Sequence, residues 1–122
     1  MTQDTVRFAL FSEVFAALAH PKRLEIIHIL ESGEYTAGTL VERTGLSKAN
    51  VSQHVGILKA RGLVYCEKRG TYCYYRLTSP EVLRACESVR QLILGQMAGV
   101  TEAHRQLAHV TPLVRRGRDG KR

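Results

Sequence analysis

The fold of this chain is decided by residues 40–64, which read LVERTGLSKANVSQHVGILKARGLV. The pattern predicts a short helix that follows a Thr36 cap and runs through Arg43, and a longer helix that follows a Ser47 cap. Threonine and serine favour such positions because their hydroxyls accept hydrogen bonds from the free N–H groups of a helix start. Thr44-Gly45 favours a tight turn between the two helices. Two helices joined by a short turn that contains glycine form a helix-turn-helix.

The second helix of this pair is predicted from Lys48 to Arg61 and has two unlike faces. Its buried face is indicated by apolar residues at spacings of four and three, namely Val51, Val55 and Leu58. Gly62 is expected to end the helix. Its opposite face carries polar, small or basic residues, namely Lys48, Ser52, Gln53, Gly56 and Lys59. A face of this kind suits contact with another molecule.

Two helices are also predicted before this pair. Residues 5–19 carry an apolar stripe at spacings of three and four, namely Phe8, Phe11, Phe15 and Leu18. His20-Pro21 interrupts this helix, because proline disfavours helical backbone in the preceding residue and is tolerated at a helix start. The next helix runs to about Glu31. Its inward residues are predicted to be Leu24, Ile27 and Leu30.

A β-hairpin and a long helix are predicted after the pair. Residues 63–68 and 71–77 are rich in β-branched and aromatic side chains and flank Arg69-Gly70, which predicts two strands joined by a two-residue turn. Ser79-Pro80 begins a last helix that extends to about His109. Its apolar stripe consists of Val82, Cys86, Val89, Ile93, Met97 and Val100. The predicted fold class is therefore mainly α with a β-hairpin wing (α+β), a winged helix-turn-helix.

Length and composition limit the class of protein. The 122 residues, 44% of them hydrophobic, suit one domain, predicted over residues 1–110 and followed by a basic, disordered tail over residues 111–122. No run of about 18 apolar residues is present, so no membrane span is expected. Residues 1–10 lack the apolar stretch of a signal peptide, so a cytoplasmic location is expected.

The net charge of +7 is concentrated in two segments. Residues 47–76 carry six Lys or Arg and one Glu, and residues 115–122 carry five basic residues and one Asp. Positive segments attract polyanions, and the phosphates of double-stranded DNA are the first candidate. A soluble surface with uneven charge is the alternative.

The helix-turn-helix predicts which side chains contact DNA. The N-terminal part of its second helix fits the major groove. There the amides of Asn50 and Gln53 can make paired hydrogen bonds to adenine, Lys48 can reach a phosphate or guanine, and Ser47 can donate to a phosphate. His54 has two interpretations, because it either hydrogen-bonds a base or phosphate or is a partly buried imidazole that braces the helix.

The predicted wing and last helix add two further surfaces. Lys68 and Arg69, at the hairpin tip, suit the DNA backbone or the minor groove. The last helix has more apolar surface than one subunit of this size covers, so together with the first helix it is the expected interface of a homodimer. The alternative is a helix that folds back on its own core.

Three stretches carry a resemblance to a known family, namely residues 18–30 (LAHPKRLEIIHIL), 40–64 and 69–77 (RGTYCYYRL). The chain resembles the ArsR/SmtB family of metal- and stress-responsive repressors over most of residues 8–95. The resemblance implies a homodimer joined through its first and last helices, bound to a roughly palindromic operator and released by an inducer. By position it places on DNA the residues Ser47, Lys48, Asn50, Ser52, Gln53 and His54, with Lys68 and Arg69 in the wing.

The cysteines suggest what is sensed. With a two-residue turn at Arg69-Gly70, Cys66 lies directly opposite Cys73, near the upper edge of disulfide geometry, and nearby basic side chains favour a thiolate. We interpret the pair as a thiol sensor for oxidants, reactive sulfur or a thiophilic metal or metalloid; two ordinary strand cysteines are the alternative. Cys86 is either a third sensor thiolate or a small core residue.

The usual metal sites of the resembled family are missing or displaced. Residues 33–40 (GEYTAGTL) contain no cysteine where the family carries its third-helix site. Glu102, His104 and His109 have spacings that differ from the family pattern, so exposed side chains are favoured over a zinc or nickel site. The sequence therefore suggests either a thiophilic metal or metalloid bound by the cysteines, or no cofactor and a redox switch of the thiols.

Other functional classes lack their motifs. The chain has no phosphate loop, no Gly-x-Ser-x-Gly, no His-Glu-x-x-His and no nucleophile paired with a base, so an enzyme is not expected. RNA binding is disfavoured, because the sequence shows no aromatic residues arranged as a stacking platform on a sheet. The remaining alternative is an architectural or protein-interacting winged-helix module without an inducer site of its own.

Overall fold

The computed structural model describes residues 2–107, with the side chains of residues 2–100 and of Glu102. The chain divides into two compact units, one up to Leu83 and one from Arg84 onward. The described elements are, in chain order, α1 (Gln3–Leu18), α2 (Pro21–Leu30), β1 (Tyr35–Thr36), α3 (Ala37–Thr44), α4 (Lys48–Ala60), β2 (Val64–Arg69), β3 (Tyr72–Leu77) and α5 (Pro80–Leu107). The predicted α+β winged helix-turn-helix is confirmed, whereas the predicted tail over residues 111–122 lies outside the described residues.

The predicted N-caps of α3 and α4 are confirmed. Thr36 Oγ1 accepts from the Thr39 N–H at 3.3 Å, and Ser47 Oγ accepts from the Asn50 N–H at 3.1 Å. The end of α4 is a Schellman motif, in which the N–H of Gly62 donates to Lys59 O and the N–H of Leu63 donates to Leu58 O, both at 3.0 Å. Gly62 has a φ of 74°, which glycine adopts without steric cost.

The core of the first unit lies between α2, α3, α4 and the base of the hairpin. Its apolar residues are Ile26, Ile27, Ile29, Leu30, Leu40, Val51, Val55, Leu58, Leu63, Val64 and Val82, with Ala17 from α1. The predicted buried face of α4 is confirmed. The prediction for Leu24 is wrong, because Leu24 is 42% exposed and fully buried Ile26 takes its place. Residues two apart lie on nearly opposite sides of a helix, so α2 cannot bury both against one core.

The sheet contains a strand that the sequence analysis missed. Strand β1 has two residues and pairs antiparallel with β3, which gives the strand order β1-β3-β2. So short a strand leaves no period-two pattern in the sequence, and its formation depends on the edge that β3 offers. It fixes the chain just before α3 to the hairpin.

The predicted hairpin turn is displaced by one residue, which shifts every cross-strand partner by two residues. The turn consists of Gly70-Thr71, so Arg69 is the last residue of β2 and pairs with Tyr72. Gly70 has a φ of 64° and occupies the first turn position, where a left-handed backbone is needed. With this turn, Cys66 lies opposite Tyr75 and Cys73 lies opposite Lys68. Because the partners shift by two residues, each side chain keeps its predicted face of the sheet.

Candidate nucleic-acid interface

The turn of the helix-turn-helix is fixed by hydrogen bonds on both sides. Thr44 is buried, and its Oγ1 donates to Leu40 O at 2.6 Å and accepts from the Leu46 N–H at 3.2 Å. From α2, Lys22 Nζ donates to Thr44 O at 2.9 Å and neutralises the negative end of the α3 dipole. Gly45 takes the left-handed conformation, with a φ of 74°. The orientation of α4 relative to α3 is therefore set before any ligand is bound.

The outward face of α4 is open in the described structure. All the residues predicted to face outward are exposed: Lys48, Ser52, Gln53, Gly56 and Lys59. A Cβ added at Gly56 would meet no atom within 4 Å, so no packing inside the described chain requires glycine there. Ala49 is also exposed, so two small residues lie on this face of α4.

The candidate DNA-reading side chains on α4 are available for contacts. Asn50 and Gln53 are exposed, and their amides have no side-chain partner among the described residues. The same holds for the ammonium group of Lys48. Ser47 uses its Oγ lone pair as the N-cap of α4, which leaves its O–H to donate elsewhere.

His54 lies on the flank of α4 and is half-buried. Its Nδ1 is 3.3 Å from Arg23 Nη1, and its ring centroid is 4.5 Å from that of His20. Burial first, and then the nearby His20 and Arg23, lower the pKa of His54 below its ordinary value. The neutral imidazole is therefore favoured, and of its two interpretations this placement supports the brace.

The two basic residues of the wing lie on opposite faces of the hairpin. Lys68 shares a face with Cys66 and Cys73, because opposed residues and residues two apart in a strand share one side of the sheet. Its ammonium group has no side-chain partner among the described residues. Arg69 lies on the other face, where its guanidinium contacts the Glu34 carboxylate and stacks 4.4 Å from the Tyr74 ring centroid.

Two carboxylates balance the arginines of that second face. Arg69 Nε lies 3.5 Å from Glu67 Oε2, and Arg76 Nη1 lies 3.7 Å from Glu67 Oε1. The hydrogen bond from Arg69 lowers the pKa of Glu34 and outweighs the opposing effect of its partial burial. The sequence predicts that Arg69 contacts DNA and does not indicate its ion pair with Glu34. A phosphate must compete with Glu34 for Arg69, whereas Lys68 has no such competitor among the described residues.

The structure joins Cys66 and Cys73 by a disulfide, with their Cα atoms 5.7 Å apart. The corrected register makes them diagonal neighbours, since each lies two residues from the other's partner. That separation falls inside the usual range for a disulfide, so the two thiols are close enough to react with each other. Cys86 is a free, half-buried cysteine, and burial raises the pKa of its thiol. A raised pKa favours the protonated thiol, which is a weaker nucleophile than a thiolate.

The described residues offer little else that could form a site. They contain no group of three or more His, Cys, Asp or Glu side chains arranged to hold a metal ion. The side chains of His104 and His109, which belong to the other candidate metal site, lie outside this description. None of the described helices is long and apolar enough to cross a membrane.

Comparison with known proteins identifies the family. Residues 20–65, which contain α2, the helix-turn-helix and the start of β2, match the model of the bacterial regulatory proteins of the arsR family. The transcriptional repressor SdpR of Bacillus subtilis is 34% identical over 68 residues, which are 56% of this chain and 76% of SdpR. This chain belongs to the ArsR family. The family is one of DNA-binding transcription regulators, in agreement with the resemblance seen in the sequence.

Solved structures of two mycobacterial proteins share the fold. The crystal structure of Rv0081 from Mycobacterium tuberculosis matches with a TM-score of 0.71 and 27% identity, covering 75% of this chain and 93% of that one. The solution structure of the homodimeric winged helix-turn-helix domain of Mb0332 from Mycobacterium bovis matches with a TM-score of 0.69 and 26% identity, covering 89% of this chain and 93% of that one.

Proposed function

We propose that this ArsR-family protein is a homodimeric transcriptional repressor that reads a two-fold symmetric site in double-stranded DNA with the outward face of α4. The observation that carries the proposal is the contrast between the two sides of that helix. One side is locked into the core by Val51, Val55 and Leu58. The other side presents exposed polar side chains, and the amides of Asn50 and Gln53 have no side-chain partner among the described residues.

The chemistry of that surface fits base edges in the major groove. The side-chain amides of Asn50 and Gln53 each offer one donor group and one acceptor, the combination that pairs with N6 and N7 of adenine. Lys48, at the positive N-terminal end of α4, adds a cation that attracts phosphate. Lys68 of the wing supplies a second phosphate contact at a distance from the helix. Repression is supported by the printed name of SdpR, a transcriptional repressor.

A second copy of the chain is the proposed occupant of the apolar face of α1. Phe8, Phe11 and Phe15 are 59%, 50% and 64% exposed. They lie on the side of α1 away from Ala17, the residue by which this helix joins its own core. In α5 the exposed apolar residues are Val89, Leu92, Ile93, Leu94 and Met97. The homodimeric state of the Mb0332 domain supports assembly of two copies of this chain.

The cysteine pair of the wing is the proposed inducer site. Two reduced thiols at Cys66 and Cys73 lose two protons and two electrons to an oxidant such as a peroxide and form the disulfide, and the same two thiolates can bind a thiophilic metal or metalloid. Lys68 lies directly opposite Cys73. A change at Cys73 therefore acts first on the wing lysine that has no carboxylate partner among the described residues.

Selection of duplexes from a random-sequence pool, followed by footprinting and sedimentation, tests the proposal. We expect the purified protein to be a dimer, to enrich one inverted repeat and to protect both half-sites over bulk DNA. In a reporter strain with this repeat between promoter and gene, expression should fall when the protein is made. A monomer, enrichment of no sequence, or increased expression would contradict the proposal.

The Cys66→Ser, Cys73→Ser double variant tests the inducer site separately. The reduced wild-type protein should release the selected duplex on treatment with peroxide, persulfide or As(III), and the double variant should stay bound. Cys86→Ser serves as the matched control and should still release it. Release of the double variant at wild-type inducer concentrations would refute the sensor and leave the DNA-binding proposal standing.

A further inference from the structure

Arg23, near the start of α2, connects three helices of the first unit through one guanidinium group. Its Nε donates to Ala17 O of α1 at 2.5 Å, and its Nη2 donates to Ala16 O at 3.3 Å. Its Nη1 lies 3.3 Å from His54 Nδ1 of α4. The side chain is half-buried, and its contacts with Ala17 O and His54 are part-buried, so these two compete with water less than surface contacts do.

The C-terminal end of α1 stabilises the position of the Arg23 guanidinium group. The last turn of α1 contains no basic residue. Its final carbonyl groups carry the negative end of the helix dipole. The charge of Arg23 opposes this dipole, and its Nε donates to Ala17 O. Its bond to Ala16 O adds to the bond that this carbonyl accepts from the Ala19 N–H. Its planar fork then leaves Nη1 pointing at α4.

The contact with His54 determines which imidazole nitrogen carries the proton. A guanidinium has no acceptor, so His54 Nδ1 must accept and its proton resides on Nε2. Two groups from outside α4 face this ring: Arg23 from α2 and His20 from the segment between α1 and α2. The Nδ1 of His20 itself accepts from the Lys22 N–H at 3.0 Å. A proton added to His54 Nδ1 would remove the acceptor and place a second cation beside Arg23.

We propose that Arg23 is a positioning residue for DNA recognition, which holds α4 through His54 at the rotation that directs Gln53 outward. Gln53 precedes His54 in the chain, so a rotation of α4 about its axis moves the two side chains together. Because α1 carries the proposed dimer face, the same guanidinium also ties the reading helix to the element that fixes the second subunit. The inference rests on the proposed function and assigns a residue outside the predicted DNA face.

The substitution Arg23→Lys tests this role, because lysine keeps the charge and cannot bridge two helices with a planar fork. We expect affinity for a duplex selected by the wild-type protein to fall about tenfold, the usual consequence of losing a hydrogen bond to a charged group. Affinity for a shuffled duplex of the same composition should stay within about twofold, since the net charge is unchanged. Arg90→Lys, at an exposed arginine that bonds to Glu87 in α5, is the matched control.

Hydrogen exchange of the DNA-free protein gives a second readout that needs no operator. The amides of residues 48–60 should exchange faster in Arg23→Lys than in Arg90→Lys. If the wild-type protein selects no duplex, the proposed function fails. The exchange rates of residues 48–60 still show whether Arg23 holds α4 in place. Unchanged exchange together with unchanged selected-duplex affinity overturns the inference. An equal loss for both duplexes also overturns it, because Arg23 would then be a phosphate contact.

The pH profile distinguishes positioning through His54 from a general loss of structure. The lowered pKa of His54 means that the neutral acceptor is fully present above about pH 6.5 and is lost as pH falls below that value. Wild-type affinity for the selected duplex should therefore stay constant above about pH 6.5 and decline as the pH falls below that value. In His54→Gln, whose amide oxygen accepts without titrating, the decline should flatten whatever the starting affinity. Superimposable profiles of the two proteins would contradict the role of His54.

Discussion

Helices α4 and α1 both carry apolar stripes, and the structure uses the two stripes differently. In α4 the residues Val51, Val55 and Leu58 are at most 2% exposed. In α1 the three phenylalanines of the stripe are all at least half exposed, and the buried residue of this helix, Ala17, lies on its opposite side. The same sequence pattern therefore serves folding of a single chain in one helix and, as proposed, association of two chains in the other.

The largest expected effect comes from disrupting the α4 stripe. Leu58→Ala should lower the free energy of unfolding by about 2–5 kcal/mol, because it removes buried methyl groups and leaves a cavity. Urea unfolding at several protein concentrations measures this loss. Ile57→Ala changes the neighbouring residue, which is 36% exposed, and should cost less than about 1 kcal/mol. Equal losses for the two variants would mean that α4 is not anchored through this face.

Substitutions in the α1 stripe should weaken the association of two chains and leave the folding of each chain nearly unchanged. Phe11→Ser with Phe15→Ser should weaken the dimer at least about thirtyfold, since buried aromatic anchors dominate protein interfaces. Sedimentation equilibrium gives the dissociation constant, and unfolding of dilute protein should change little. Ala9→Ser places the same hydroxyl on an exposed part of α1 as a control. A double variant that remains a dimer while losing stability would place the phenylalanines inside the subunit.

Gly56→Ala should separate the stability of α4 from its proposed contact with DNA. Alanine is a better helix former and meets no atom within 4 Å, so the free energy of unfolding should rise by about 0.5–1 kcal/mol. If the outward face lies against base pairs, the added methyl group should weaken binding of the selected duplex. Denaturation and fluorescence anisotropy measure the two changes. Increased stability with unchanged affinity would show that the face does not approach DNA closely at this residue.

The wing offers the smallest expected effect. Glu34→Gln removes the charge that holds Arg69, so Arg69 becomes available to phosphates. We expect affinity for any duplex to rise about twofold and the slope of log affinity against log salt to steepen by about one. Titration over a range of salt concentrations measures both. Unchanged salt dependence would indicate that Arg69 stays on its own face of the hairpin and does not contact DNA.

The local signals of the sequence predicted most of the fold. Caps at Thr36 and Ser47, the stop at Gly62 and the spacing of the α4 stripe depend on neighbouring residues, and all were confirmed. The hairpin register failed, because the sequence marks a glycine turn without saying which turn position Gly70 occupies. The two-residue strand β1 has no pattern of its own.

The candidate site was predictable only in its exposed part. The outward residues of α4 follow from helical periodicity alone. The bonds that Lys22 and Arg23 make to the ends of α3 and α1 are tertiary, and nothing in their local sequence names a partner. Likewise Glu34, which precedes β1, carries no sign that it meets Arg69 across the sheet. The sequence therefore predicted the side chains that face solvent, but not the side chains that connect two helices or strands.

The most direct test of the account is duplex selection repeated with Gln53→Ala, beside Gln91→Ala of α5 as a control. The account predicts a loss of about 1–3 kcal/mol for the wild-type-selected duplex, relaxed base preference at one position in each half-site, and unchanged affinity for shuffled DNA. The control should retain the wild-type preference throughout. An unchanged preference for Gln53→Ala, or equal losses for both duplexes, would contradict the claim that the outward face of α4 reads bases.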